Sequence, residues 1–248
     1  MLSPEKTKLV EELTARCGST PTLVLFDIDG TLVHTQGAGR RALEQMFHHL
    51  YGIKDAFKDY PFSGRTDQRI MADAFDKWFQ RVPTAEELGN ARVNYLRFLD
   101  EDLARVKDQI VVLPGIIEIL EILRGLGIPT GLATGNLQEG AKRKLAAADL
   151  WDYFAFGGYG SDAIDRAELT AMGASRGRAT VEHEIPDNRV FVIGDSPLDV
   201  DAAHRAGFIS IAVLTGWSSR AEMEAGNPEI VMDDLGDTEA LLEAIGLI

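Results

Sequence analysis

The run Leu23-Val24-Leu25-Phe26-Asp27-Ile28-Asp29-Gly30-Thr31-Leu32 decides how the rest of the chain is read. Its four leading apolar residues make a short buried strand, and Asp27-Ile28-Asp29-Gly30 breaks that strand into a loop. Side chains alternate along extended backbone, so Asp27 and Asp29 face one point beyond the strand end while Ile28 turns back into protein. Two converging carboxylates suit a hard cation: Mg²⁺ takes oxygen ligands, one or two of them carboxylates, and keeps places for water and phosphate. An Asp-Gly turn that merely closes a strand accounts for the same string, so the choice falls to the remaining sequence.

The 248 residues suffice for one large domain or two modest ones, each with a core. With 45% apolar and 26% charged residues, no apolar run of membrane-spanning length and no leader pattern at Met1, the chain reads as cytoplasmic. Its single cysteine, Cys17, excludes an internal disulfide framework and a multi-cysteine zinc site. A formal net charge of -14 argues against nucleic acid and anionic membranes as partners. If the substrate is an anion, a metal and a few local cations have to overcome that field.

Residues 3–15 carry a helical period through Leu9, Val10 and Leu13, with Ser3 as N-cap and Pro4 in the first turn. Gly37-Ala38-Gly39-Arg40-Arg41-Ala42 imitates a dinucleotide fingerprint but does not directly follow a strand, so it reads as a flexible entrance to the next segment. From about Arg40 to Lys107 helical periods take over, through Leu43/Met46/Phe47/Leu50, Ile70/Ala74/Phe75/Trp78 and Leu88/Ala91/Tyr95/Leu99/Leu103. Beyond this insertion, strands expected at 129–133, 153–156, 189–193, 209–214 and 229–232 alternate with helices near 115–126, 138–148, 167–181, 198–206, 220–225 and 238–245. Such alternation means a parallel sheet covered on both faces.

In open parallel sheets ligands bind beyond the carboxyl ends of the strands. Thr134-Gly135-Asn136 follows the second core strand, with a hydroxyl and free backbone N–H groups suited to a phosphate oxygen; a plain helix cap is the alternative. Gly194-Asp195-Ser196-Pro197-Leu198-Asp199 follows the fourth, placing one acid at the strand end and another a helical turn on. Alone, Asp199 is a first-turn acid favoured by the helix dipole and Asp195 a loop residue. With Asp27 and Asp29 they bring four like charges to neighbouring strand ends, which is costly unless a metal neutralises them.

Asp27-x-Asp29-Gly30-Thr31, the strand-end Thr134 and Gly194-Asp195-x-x-x-Asp199, in this order and each after a strand, resemble the haloacid dehalogenase superfamily of phosphohydrolases over nearly the whole chain. The resemblance implies an α/β fold: a Rossmann-like parallel sheet core flanked by helices, residues 1–36 and 110–248, with an inserted all-helical cap domain at 37–109. It also implies Mg²⁺-dependent hydrolysis of a small phosphorylated substrate by a monomer or homodimer. Asp27 would attack phosphorus to form an aspartyl-phosphate, and Asp29 would serve as general acid and then base. Thr134 would hold a phosphoryl oxygen, with Gly30, Thr31, Gly135 and Asn136 also binding substrate. Mg²⁺ would be held by Asp27, the backbone carbonyl of Asp29, and Asp195, with Asp199 as an additional ligand or as a support behind the ligands. The family's usual lysine after the third strand is missing, since no lysine lies between 157 and 180. Arg166 takes its place in this reading, with Arg176 and Arg178 as rivals; a guanidinium forks onto phosphate and stays charged. His34, where many relatives have an acid, reads as incidental.

Ser63-Gly64-Arg65-Thr66-Asp67 is close to a motif of phosphoglycolate-phosphatase-like members. Arg65 there meets a substrate carboxylate or second phosphate, or else lies in solvent beside a helix cap made by Thr66 or Asp67. Phe75, Trp78, Tyr95 and Phe98 read as core of the cap, and residues 33–39 and 109–115 as hinges. Phosphoglycolate is the first substrate to try. The alternatives are a phosphosugar mutase of the same superfamily and a non-catalytic binding module, and retention of Asp27, Asp29 and Asp195 together counts against the module.

Overall fold

The computed structural model describes residues 21–248; the leading helix expected at 3–15 and Cys17 lie outside the described residues. In chain order the first half contains β1 (Leu23–Phe26), β2 (Val33–His34), α1 (Ala38–Tyr51), α2 (Asp67–Phe79), α3 (Ala85–Arg105) and β3 (Val111–Val112). The second half contains α4 (Ile116–Gly125), β4 (Thr130–Thr134), α5 (Gln138–Ala147), β5 (Gly157–Tyr159), α6 (Arg166–Arg178) and β6 (Val190–Gly194). It closes with α7 (Pro197–Arg205), β7 (Ile209–Val213), α8 (Arg220–Ala225), β8 (Ile230–Met232) and α9 (Thr238–Ala244).

Six strands form a parallel sheet in the order β5-β4-β1-β6-β7-β8, the expected α/β architecture. The uniform apolar run of β1 follows from its central place. Val24 and Phe26 pack into one apolar cluster with Ile119, Leu123 and Leu132, while Leu23 and Leu25 pack into another with Leu169, Val190 and Val192. Both faces are buried, so neither alternate set can be polar. From β1 the chain moves outward through β4 to β5 and then returns to β6 on the other side of β1, which puts the topological switch point, and the crevice it opens, at the end of β1.

Helices α1 to α3 enclose an apolar cluster of their own, built on Leu43, Met46, Phe47, Phe57, Phe75, Tyr95 and Leu99. Their ends are set locally: Thr66 accepts from Arg69 N at the start of α2, and Thr84 and Glu87 make a reciprocal capping box at the start of α3. Of the expected core aromatics, Phe75 and Tyr95 are fully buried, Phe98 is half-buried and packs against the cluster, and Trp78 is 41% exposed with its Nε1 donating to Ala56 O. The two connections into this helical segment pair with each other, Val33–His34 running antiparallel to Val111–Val112. No helix among the described residues is long and apolar enough to cross a membrane.

The third core strand departs from expectation. Residues 151–153 form a one-turn 3-10 helix, and the strand is Gly157–Tyr159 rather than 153–156. Glycines disguise it, and they are needed there: a Cβ on Gly158 would stand 1.7 Å from Leu169 O of α6, so only a bare backbone lets that helix lie against the strand. Pattern reading looks for branched and aromatic residues and settles on the Tyr153–Phe156 side of this segment instead.

Candidate active site

Register brings the acids together. Phe26 of β1 stands opposite Ile193 of β6, and Asp27 N donates to Ile193 O at 2.9 Å, so both strands end level and Asp27 and Asp195 leave them side by side. Gly30 turns the loop with φ +88°, a conformation L side chains rarely adopt, and a Cβ there would meet Asp195 Oδ2 at 2.5 Å. Carboxylate oxygens of Asp27, Asp195 and Asp199 all lie within 4.8 Å of one another. Arg166, at the first position of α6 and 9% exposed, sets one guanidinium nitrogen 3.0 Å from Asp27 Oδ1 and against Asp199 Oδ1, while its other nitrogen donates to Gly64 O at 2.7 Å. Arg176 and Arg178 are occupied elsewhere, with Asp162 and Asp187.

One guanidinium among three buried acids leaves negative charge in excess. Burial, then the neighbouring Asp199 and Asp29, push Asp27 up to about 6 against the pull of Arg166. Asp195 rises well above the carboxylate range, again through burial first and through Asp199 and Asp27 next. The oxygen set fits a hard divalent cation, because three buried carboxylates converge within 4.8 Å with a single guanidinium against them. Asp199 also has protein partners. Its Oδ2 accepts from Ser196 N at 3.0 Å and Ser196 Oγ at 2.6 Å, and its Oδ1 faces Arg166. It caps α7 and anchors the arginine, and it stays within 4.8 Å of the carboxylate oxygens of Asp27 and Asp195.

The substrate-binding candidates divide. Gly135, Asn136 and Arg65 line the cavity over Asp27 and Asp29, whereas Gly30 and Thr31 stand behind its lining. Thr31 Oγ1 donates to Asp195 Oδ1 at 3.3 Å, and Gly30 O accepts from Thr215 Oγ1 at 2.6 Å, so both support the acid cluster from behind. Thr134 is fully buried and its Oγ1 accepts from Asn136 Nδ2 at 2.8 Å.

Lys144 is the group that sequence reasoning passed over. It sits on α5 at 4% exposure, with Nζ 2.5 Å from Asp29 Oδ2 and 2.7 Å from Asn136 Oδ1. Burial opposes the charge on Asp29, but the Lys144 ammonium and hydrogen bonds from Lys144 and Asn136 outweigh it and hold Asp29 below the usual carboxylate range. The signal was in the helical phase: position 144 shares the buried side of α5 with Ala141 and Leu145, unlike the neighbouring Lys142 and Arg143. A buried lysine at such a position requires a partner.

Asp67, considered in the sequence only as a helix cap, joins the helical segment to the sheet. Its N donates to Gly135 O and its Oδ2 accepts from Leu137 N, both at 2.8 Å. Burial lifts it to about 6, with Lys144 pulling the other way. A carboxyl raised in this manner favours the folded state below its unfolded value, and the advantage is lost as pH rises through the folded one. The span from the ordinary 3.8 to about 6 corresponds to about 2–3 kcal/mol. Asp67→Asn keeps the shape and the acceptor but not the charge, so thermal melts should show the variant gaining on wild type between pH 4 and pH 7.5. A difference independent of pH would contradict this account of Asp67.

The family model described as haloacid dehalogenase-like hydrolase matches residues 21–207. A probable phosphatase IndB of Dickeya dadantii (strain 3937) is 26% identical over 90% of this chain and 94% of its own. A phosphoglycolate phosphatase of Pseudomonas savastanoi pv. phaseolicola is 26% identical over 88% of this chain and 78% of its own. Among solved structures, a hydrolase from Pseudomonas syringae has the same fold, with a TM-score of 0.67 at 22% identity over 91% of this chain and 99% of that one.

Proposed function

Since the chain belongs to the haloacid dehalogenase-like hydrolases and is a phosphohydrolase, we propose that it hydrolyses a metabolite phosphate monoester with Mg²⁺ through an aspartyl-phosphate on Asp27. One observation carries this reading: a buried carboxylate oxygen of Asp27 without a well-aligned hydrogen bond, set between Arg166 and further acids on the floor of a cavity that Asp27 itself lines. Asp27 and Asp195 would hold the metal, with the backbone carbonyl of Asp29. When bound, Mg²⁺ offsets the acid cluster and the charge of the phosphate.

The protein's own groups divide the remaining work. Arg166 directs the Asp27 carboxylate and neutralises charge on the equatorial phosphoryl oxygens. The backbone N–H groups around Gly135 and Asn136 receive the phosphoryl group, with Thr134 and Asp29 fixing the Asn136 side chain. Asp29 serves the leaving oxygen and the hydrolytic water in turn. A phosphate dianion beside it favours the protonated form that gives its proton to the departing alcohol, and Lys144 favours the carboxylate that then takes a proton from water. Residues 37–109 close over the reaction as a cap, latched by Arg166 to Gly64 O and by Asp67 to Gly135 O.

Phosphate release from p-nitrophenyl phosphate, followed with Mg²⁺ and then in EDTA, tests the metal. Turnover should fall by about a hundredfold or more on chelation and return when Mg²⁺ is restored. Full turnover in EDTA would remove the cation from the mechanism.

A further inference from the structure

The cavity over Asp27 has a volume of about 720 Å³. Phosphoglycolate has nine non-hydrogen atoms, and even at the roughly 30 Å³ of a liquid water molecule for each it fills under about 270 Å³. More than half of the space lies beyond it. Cavities of roughly 300–1,000 Å³ are those that enclose most of the surface of a drug-sized ligand.

The walls of that extra space have a consistent chemistry. On the helical side two aromatic rings carry guanidinium groups: Arg40 lies 5.3 Å from the centroid of Phe62 and Arg65 lies 5.5 Å from that of Tyr60. Each guanidinium already has an acidic partner, Glu44 at 3.1 Å and Asp73 at 3.6 Å respectively. Asp73 also pairs with Arg69, and the remaining N–H groups of Arg40 and Arg65 are donors for hydroxyl oxygens. Ser63 also lines the cavity, with an Oγ that is buried and has no hydrogen-bond partner. Across the mouth stands Trp217, 67% exposed and edge-on to His34 with 5.4 Å between ring centroids. His34 is held in turn by Thr215 O at 2.9 Å. A tryptophan fixed at the mouth of the reaction cavity with no protein over it presents a flat apolar face to whatever enters.

We infer that the substrate is a phosphate monoester of a ring-bearing, hydroxylated alcohol with about a dozen or more non-hydrogen atoms, sugar-sized or larger, whose ring lies on Trp217 and whose hydroxyl groups turn toward Arg40 and Arg65. This rests on the phosphatase reading above and replaces phosphoglycolate as its first substrate. The Trp217 face receives the C–H face of a saturated ring, while the guanidinium N–H groups of Arg40 and Arg65 donate to its hydroxyl oxygens.

The test is kcat/KM of the full chain with Mg²⁺ on p-nitrophenyl phosphate, phosphoglycolate, glucose 6-phosphate and trehalose 6-phosphate. At least one sugar phosphate should exceed phosphoglycolate tenfold or more. Phe62→Ala and Trp217→Ala should each reduce that preference about fivefold, mainly through KM for the sugar phosphate. Turnover of p-nitrophenyl phosphate with phosphoglycolate equal to or better than both sugar phosphates overturns the inference alone, as does a preference unchanged in both variants. No turnover of any of the four esters overturns the phosphatase reading and this inference with it.

Discussion

Asp27→Asn should lower kcat on every phosphate monoester by about 10⁴-fold or more, the scale seen when a nucleophile that acts as part of a unit is removed. The amide has the shape of the carboxylate but no anionic oxygen to attack phosphorus, so no aspartyl-phosphate forms. The same change should stabilise the metal-free fold. Asp27 is one of three buried carboxylates crowded around a single guanidinium, and removing one of them relieves like-charge repulsion and desolvation together. A residue kept for structure would lose stability with activity; one kept for chemistry gives opposite signs. Acid-quenched enzyme should carry a hydroxylamine-sensitive phosphate in wild type and none in the variant, and melts in EDTA should show the variant higher. Turnover within tenfold of wild type would remove Asp27 as the nucleophile.

Arg166→Ala should cost about a thousandfold in kcat/KM and about 3–5 kcal/mol of stability, the range for breaking a buried ion pair by deleting one partner. The loss has two sources. Asp27, Asp195 and Asp199 are left together with no protein cation against them, and Gly64 O loses the donor that latches the helical segment to the sheet. Because three acids are left unpaired, Mg²⁺ should restore more stability to the variant than it adds to wild type. Arg166→Lys keeps the charge but not the fork that reaches Asp27, Asp199 and Gly64 O at once, so it should recover stability better than rate. Urea denaturation with and without Mg²⁺, together with steady-state kinetics on all three proteins, separates these effects. Wild-type rates in Arg166→Ala would end its assignment as the phosphate-facing cation.

Legibility in the sequence followed the range of the interactions involved. Asp27, Asp29 and Asp195 stand out because each follows directly on an apolar run, and the order of such runs determines a parallel sheet whose strand ends lie on one side. Thr134 is found in the same way, by position relative to a strand, whereas Arg166 is pointed to only by the family resemblance, which implies a cation in that segment. The third strand was misplaced because its glycines answer to a helix crossing over it, a contact between residues 158 and 169 that no local propensity encodes. Spacing puts Asp199 one helical turn beyond Asp195 but does not say that its oxygens also meet Ser196 and Arg166.

What the amino-acid sequence determined by itself was the sheet, the inserted helices and the acids at the strand ends, because strand and helix periods act over a few residues and convert pattern directly into facing. Only the tertiary structure decided which groups those acids meet. Lys144 on Asp29, Asp67 on the loop after β4, and Trp217 on His34 are pairings between segments brought together by packing. Their energies depend on burial and on separations of a few ångströms, quantities that exist only once the chain has folded.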